Sequence, residues 1–192
     1  MICSVKHYSV SSFQPSRPAG QRSVVGLAAQ PMERVRVGFV GLGQRGREAV
    51  MRWCHLERTD IVAVCDLSAD SVADVQQLLR DNGRPAALAF SSAEQLCDMP
   101  NLDLVYVCTD WASHFSMACC ALEHGHHVAV EVPAVMTIRE AWQLVDLAER
   151  QQLHCMMLEN CCYDYFELAT AAMAQQGLLG EVVHGEGGYC HN

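Results

Sequence analysis

Between Val35 and Glu48 the chain reads VRVGFVGLGQRGRE, and its glycines Gly41, Gly43 and Gly46 stand in the spacing G-x-G-x-x-G. The run before them is β-branched and apolar; the run after them has helical spacing. Each glycine has a separate job in such a turn. The first permits a tight turn, the second lets a diphosphate approach the backbone, and the third lets helix and strand pack closely. The helix N-terminus adds amides and partial positive charge. The next apolar run, IVAVCD, ends in Asp66, where a dinucleotide fold places the acid that bonds the adenosine ribose. A carboxylate there repels a 2′-phosphate, so the pattern favours NAD over NADP. A glycine turn with no ligand is the bland alternative. The order strand, turn, helix, strand, acid weighs against it.

Three later apolar runs also end in reactive side chains. CTDWASH supplies Thr109, Asp110, Trp111 and His114; HVAVEVPA carries Glu131; LENCCYD supplies Glu159, Asn160, Tyr163 and Asp164. A carboxylate at the end of a buried strand costs free energy unless something pairs with it, so Glu131 demands a partner or a ligand. Structural readings stand beside the functional ones. Trp111 is equally a cap on the sheet, His114 a hydrogen-bonding residue of a first helical turn, Tyr163 a structural hydroxyl, and Glu159 a carboxylate favoured by a helix dipole. His124, His126 and His127 cluster as metal ligands do. They straddle a helix-to-strand turn at the opposite edge, which reads as a solvated turn rather than a metal site.

The elements that must position these groups alternate. Strands are predicted over 35–41, 61–66, 87–90, 102–109, 127–132 and 154–160. Helices are predicted over 45–56, 69–83, 92–99, 112–125, 137–152 and 165–177. Ser68 reads as an N-cap and Gly83 as a helix stop. SSAE (91–94) and Thr137 with Glu140 read as capping boxes. Such short alternation implies βαβ units, and near-continuous apolar strands imply a parallel sheet covered on both faces. Ligands then gather beyond the carboxyl ends of the strands. EVVHGEGGYCHN (181–192) starts another strand. The expected fold class is α/β, a doubly wound, mostly parallel Rossmann sheet, with the first strand of a truncated second α+β domain. The expected divisions are a poorly ordered leader (1–24), a dinucleotide-binding domain (25–180) and the start of a substrate domain (181–192).

The bulk numbers narrow the function classes. A net charge of −9 argues against a nucleic-acid surface, which needs a basic footprint. No run approaches the length of a membrane span, and the first 24 residues lack the continuous apolar core of an export signal. Eleven cysteines without C-x-x-C spacing read as small buried hydrophobes in a reducing compartment, so the expected location is the cytoplasm. An apolar docking face left uncovered would favour self-association as a homo-oligomer.

The series G-x-G-x-x-G, acid, T-x-x-x-x-H, E-x-P resembles the glucose–fructose oxidoreductase / inositol dehydrogenase superfamily. That family has Glu-Lys-Pro where this chain has Glu131-Val132-Pro133. The family's Lys polarises or deprotonates a sugar hydroxyl during hydride transfer, so its absence weighs against a simple sugar dehydrogenase. Longer strings, among them VAVEVPAVMTIREAWQLVDLAE and MMLENCCYDYFELA, resemble glycoside hydrolase family 109, the NAD-dependent α-N-acetylgalactosaminidases, from Val25 to Asn192. That resemblance implies NAD as cofactor and a glycan or glycoside as substrate. It also implies a second domain beyond this length. It matches Gln44 and Arg45 to cofactor contacts in the turn and Asp66 to the ribose acid. Trp111 to His114 match a cofactor loop, and Glu131, Val132 and Asn160 match contacts at the later strand ends. Tyr189 matches a substrate contact, and Tyr163 and His191 are candidates for proton transfer. Two other functions stay open: an NAD-dependent sugar or polyol dehydrogenase, and a dinucleotide-binding fragment without turnover.

Overall fold

The computed structural model describes residues 17–186 and Gly188. In chain order the elements are β1 (Val35–Val40), α1 (Gln44–Cys54), β2 (Thr59–Cys65), α2 (Ala69–Asp81), β3 (Leu88–Phe90), α3 (Ala93–Cys97), β4 (Leu104–Val107), α4 (Trp111–Glu123), β5 (His127–Val130), α5 (Ile138–Gln151), β6 (Cys155–Met157) and α6 (Tyr165–Gln175), with a 3-10 turn at Cys161–Tyr163 before α6. The six strands form one parallel sheet in the order β3-β2-β1-β4-β5-β6. Strand order reverses between β1 and β4, the place where open parallel sheets bind ligands.

Register aligns the strand tips. Val40 pairs with Cys65 and with Val107, Val107 with Val130, Val130 with Met157, and Cys65 with Phe90. The last residues of all six strands therefore stand in one row. The residues next after five of them, Gly41, Asp66, Ser91, Cys108 and Glu131, emerge along a single edge.

The pleat sorts the apolar side chains. On one face Phe39 stacks on Tyr106 at 5.0 Å between ring centroids, and Trp53 of α1 meets both rings edge-on. On the other, Val40, Val105, Val107, Val128 and Val130 pack with Leu96, Ala118, Ala121, Leu122, Leu144 and Leu147 from α3, α4 and α5. A fully buried side chain of this size contributes about 1.5–3 kcal/mol, so the strands are held by burial on both faces. Arg84 ties the end of α1 to the sheet, donating to the carbonyls of Cys54, Leu56 and Thr59. His126 is buried with its two ring nitrogens 2.9 and 2.7 Å from the carbonyl oxygens of Leu102 and Cys97. The histidine cluster is thus a structural corner, and among the described residues no group of side chains is arranged for a metal. None of their helices is long and apolar enough to cross a membrane.

Several local expectations shift. Ser68 caps α2 by accepting from the Ser71 amide, and Thr137 with Glu140 forms a full capping box on α5. The SSAE box does not form. α3 starts with Ser92 as its N-cap, which leaves Glu94 one position short of the reach-back site, and Ser92 makes no capping bond. β5 ends at Val130 and β6 at Met157, both earlier than the apolar runs suggest, because each ladder stops with its partner. Residues 181–186 form no strand, since they have no ladder partner among the described residues.

The chain divides into two compact units, Met1–Met157 and Leu158–Asn192. In the second, neither the 3-10 turn nor α6 buries a residue. In the first, residues 17–24, which the sequence suggests are leader, include a clasp on α5. Arg17 Nε lies 2.8 Å from Glu149 Oε2, and Gln21 Nε2 donates to the same oxygen at 2.8 Å. Glu149 is 3% exposed. The Arg17 guanidinium, and after it the Gln21 amide, hold its carboxyl below its ordinary 4.5, at about 2. The folded pKa is the lower one, so this contribution to stability is whole above the ordinary carboxylate range and drains away as pH falls toward 2. Glu149→Gln is therefore expected to lower the thermal midpoint at neutral pH and to flatten its acid dependence between about pH 5 and 2. Parallel acid-dependence curves for the two proteins, followed by circular dichroism, would contradict it.

Candidate functional site

A cleft of about 910 Å³ opens at the carboxyl edge of the sheet, over the β1–β4 reversal. Its walls come from the tips of β1, β2 and β4, the loop after β3, and the helices α1, α3 and α4. Gly41 turns the chain at φ +89°, and a Cβ there would sit 2.6 Å from the Cys108 carbonyl oxygen. At Gly46 a Cβ would meet the Gly41 carbonyl oxygen at 2.0 Å. Gly43 is the opposite case: nothing stands within 4 Å of where its side chain would be, and that open space belongs to the cleft.

Gly43 is also the N-cap of α1 and supplies no capping side chain. The other three long helices of the sheet are capped, α2 by Ser68, α4 by Asp110 and α5 by Thr137. α1 has no acidic residue in its first turn either. Its leading amides are left for an anion in the cleft.

Asp66 stands at the β2 tip. Its Oδ2 accepts from the Leu42 amide at 2.6 Å and its Oδ1 from the Ser68 amide at 2.8 Å. The carboxylate therefore braces the glycine turn from the side as well as facing the cleft. Leu67, 92% exposed, is an apolar shelf beside it. Ser91, Ser92 and Glu94 continue that wall.

On the other side of the reversal Glu131 finds its partners. It is buried, with Oε1 accepting from the Tyr106 hydroxyl at 2.9 Å and Oε2 lying 3.1 Å from Arg45 Nε. Arg45 comes from the first turn of α1 and lines the cleft. Burial, and then the Glu131 charge, push the Tyr106 hydroxyl pKa up, so the phenol keeps its proton and donates it. The Cys108 thiol is pushed up to about 12 by burial first and by Glu131 second, and the Cys65 thiol to about 11 by burial and then Asp66. Burial also raises the third thiol of the cleft wall, Cys120, so none of the three is a nucleophile at neutral pH.

The remaining sequence candidates separate. Thr109, Asp110 and Ser113 form the β4–α4 lip, where Ser113 Oγ donates to Asp110 Oδ2 at 2.7 Å and holds that carboxyl below its ordinary range. Trp111 opens α4 and is 62% exposed, outside the cleft wall. His114 is buried, its ring nitrogens 2.7 Å from the Pro133 carbonyl oxygen and 3.0 Å from that of Thr109; it supports the loops instead of lining the cleft. Val132 is half-exposed, in a cis bond to Pro133. Asn160 and Tyr163 belong to the second unit, where Asn160 precedes the 3-10 turn and Tyr163 is exposed. Tyr189 and His191 lie outside the described residues. Sequence reasoning misses Tyr106, Leu67, Met117, Cys120 and the Ser91–Glu94 wall. Register is the signal that finds those at the tips, because they belong to the same row of strand ends.

The arrangement fits a dinucleotide: an uncapped helix for the diphosphate, Asp66 for one ribose, and Arg45, held by the buried Glu131, on the way to the other half. Asp66→Asn tests the bracing role. An amide side chain accepts through one atom only, so one backbone N–H would face another N–H. Hydrogen bonds to charged groups contribute about 1.5–3 kcal/mol, so affinity for NAD and NADP alike is expected to fall roughly tenfold or more by calorimetry. A variant that gains NADP affinity would show that Asp66 only selects the ribose.

The family described as oxidoreductase family, NAD-binding Rossmann fold, matches residues 35–159. "Glycosyl hydrolase family 109 protein 1" of Bacteroides fragilis (strain YCH46) is 52% identical over 182 residues, covering 93% of this chain and 39% of its own length. "Glycosyl hydrolase family 109 protein" of Porphyromonas gingivalis is 46% identical over 190 residues, covering 97% and 41% respectively. The chain thus spans about two-fifths of these curated relatives. Among solved structures, scyllo-inositol dehydrogenase from Lactobacillus casei, with bound NAD(H) and scyllo-inositol, superposes with a TM-score of 0.69 at 17% identity, over 77% of this chain and 43% of that one; at that identity the likeness concerns the fold. With its glycine cradle, its braced Asp66 and a family match across the whole sheet, the chain belongs to the oxidoreductase family with an NAD-binding Rossmann fold.

Proposed function

We propose that this chain is the cofactor-binding part of an NAD-dependent glycoside hydrolase acting on terminal α-N-acetylgalactosamine. The observation that carries the reading is at the β5 mouth. There Glu131-Val132-Pro133 follows the strand tip, with Glu131 paired to the cleft-lining Arg45, and the described residues contain no lysine at all. A lysine-assisted sugar dehydrogenation is not built into this edge, and the half-identical relatives carry a hydrolase name.

Bound NAD supplies a transient oxidation at the sugar C3, which acidifies the C2 proton, opens elimination of the C1–O bond and lets water add at C1 before the hydride returns. The chain's own residues hold the cofactor for this. The Gly43–Arg45 turn takes the diphosphate, Asp66 and Leu67 take the adenosine end, and Glu131 with Val132 orients the nicotinamide side. Asn160 is assigned a cofactor contact, Tyr189 a substrate contact, and Tyr163 and His191 proton transfer. The division into a cofactor domain over 25–180 and a substrate domain opening at 181–192 belongs to the same reading, as do a glycan partner and a homo-oligomer.

The test uses an aryl α-N-acetylgalactosaminide in heavy water. Aryl alcohol release, deuterium at C2 of the sugar and no net NADH are expected where turnover occurs. Stoichiometric NADH with the glycosidic bond intact would replace this function with that of a dehydrogenase. For the 192-residue chain alone, NAD uptake without turnover is expected, since an active site needs both walls of its crevice.

A further inference from the structure

Tyr106 is the one side chain of the Phe39–Trp53–Tyr106 aromatic layer with a polar handle aimed at the ligand edge. Its ring is held by Phe39 at 5.0 Å and Trp53 at 5.9 Å, and its hydroxyl reaches Glu131 Oε1 at 2.9 Å. Tyr106 is 6% exposed and Glu131 7%. The carboxylate is divided cleanly: one oxygen goes to this phenol and the other to Arg45, a cleft-lining residue at the start of α1. Tyr106 and Glu131 both lie behind the cleft wall, which Arg45 lines, so anything the phenol does for a ligand it does through the Glu131–Arg45 pair.

We infer that Tyr106 is a positioning residue for the nicotinamide half of the dinucleotide: with its ring fixed by Phe39 and Trp53, its hydroxyl orients the Glu131 carboxylate and, through it, the cleft-lining Arg45. The inference rests on the NAD assignment. Three features support it. The adenosine half lies on the β2 side of the reversal, where Asp66 stands, so the other half crosses toward β4 and β5. A terminal carboxylate turns freely about its last bond unless both oxygens are bonded, and Arg45 alone secures one. Arg45 is also half-exposed and bonds as a long, flexible side chain, whereas the phenol is the rigid member of the pair.

The experiment compares NAD with AMP, which fills only the adenosine end. Tyr106→Phe keeps the ring and removes the hydroxyl. Calorimetry on the full 192-residue chain is expected to show NAD binding weakened about tenfold and AMP binding unchanged. Glu131→Ala is expected to weaken NAD comparably or more, and adding Tyr106→Phe to it should change nothing further, because Tyr106 would have lost the group it acts through. Equal loss of NAD and AMP on Tyr106→Phe, no loss of either, or full additivity with Glu131→Ala would overturn the positioning role while leaving the cofactor assignment intact. A wild-type chain that takes up neither ligand would overturn both.

Discussion

The molecule turns on a contact that leaves no room for a side chain. Gly41 brings the tip of β1 so close to the tip of β4 that a single added carbon would lie within 2.7 Å of both the Cys108 carbonyl and the Thr109 amide. Because these two strands are neighbours at the point where sheet order reverses, that closeness sets how deep the crevice begins. Gly46 repeats the constraint one turn later against Gly41 itself. Packing, cap and cleft are thus one arrangement: the helix sits low because two glycines let it, and its bare end then faces the crevice.

Two carboxylates follow strand tips, Asp66 in the crevice wall and Glu131 behind it, and their surroundings give them different work. Asp66 accepts from two backbone amides and so belongs partly to the turn. Glu131 accepts from a phenol and a guanidinium and so belongs to the side-chain layer beneath the sheet edge. The same residue chemistry, carried in the same row of strand ends, yields a backbone brace on one side and an oriented acceptor on the other. The energetic logic is shared. A buried or half-buried carboxylate without donors is costly, and each of these two has a donor for either oxygen.

Much of this is legible in the amino-acid order alone. Glycine spacing, the acid after β2 and the alternation of apolar runs point to a dinucleotide fold, because backbone demands at such a turn admit few residue types. Tyr106 is not legible. A tyrosine in LVYV reads as core, and its hydroxyl acquires meaning only when the β4–β5 register sets Tyr106 beside Ala129, two residues before Glu131. His114 reads equally as ligand contact or as local support, and only the fold brings Pro133 over its second nitrogen. The failed SSAE box shows the same limit at short range. A one-residue shift in where α3 begins takes Glu94 out of capping reach. Strand ends, too, are overrun in sequence because a ladder stops where its partner stops.

His114 has a mechanical side as well. Its ring joins the carbonyl of Thr109, on the lip after β4, to that of Pro133, on the loop after β5. Two surface segments that are far apart along the chain are thereby riveted through one rigid plane. Neither can drift far without displacing the buried ring wedged between them, so the two segments behave as one slab rather than as two independent flaps.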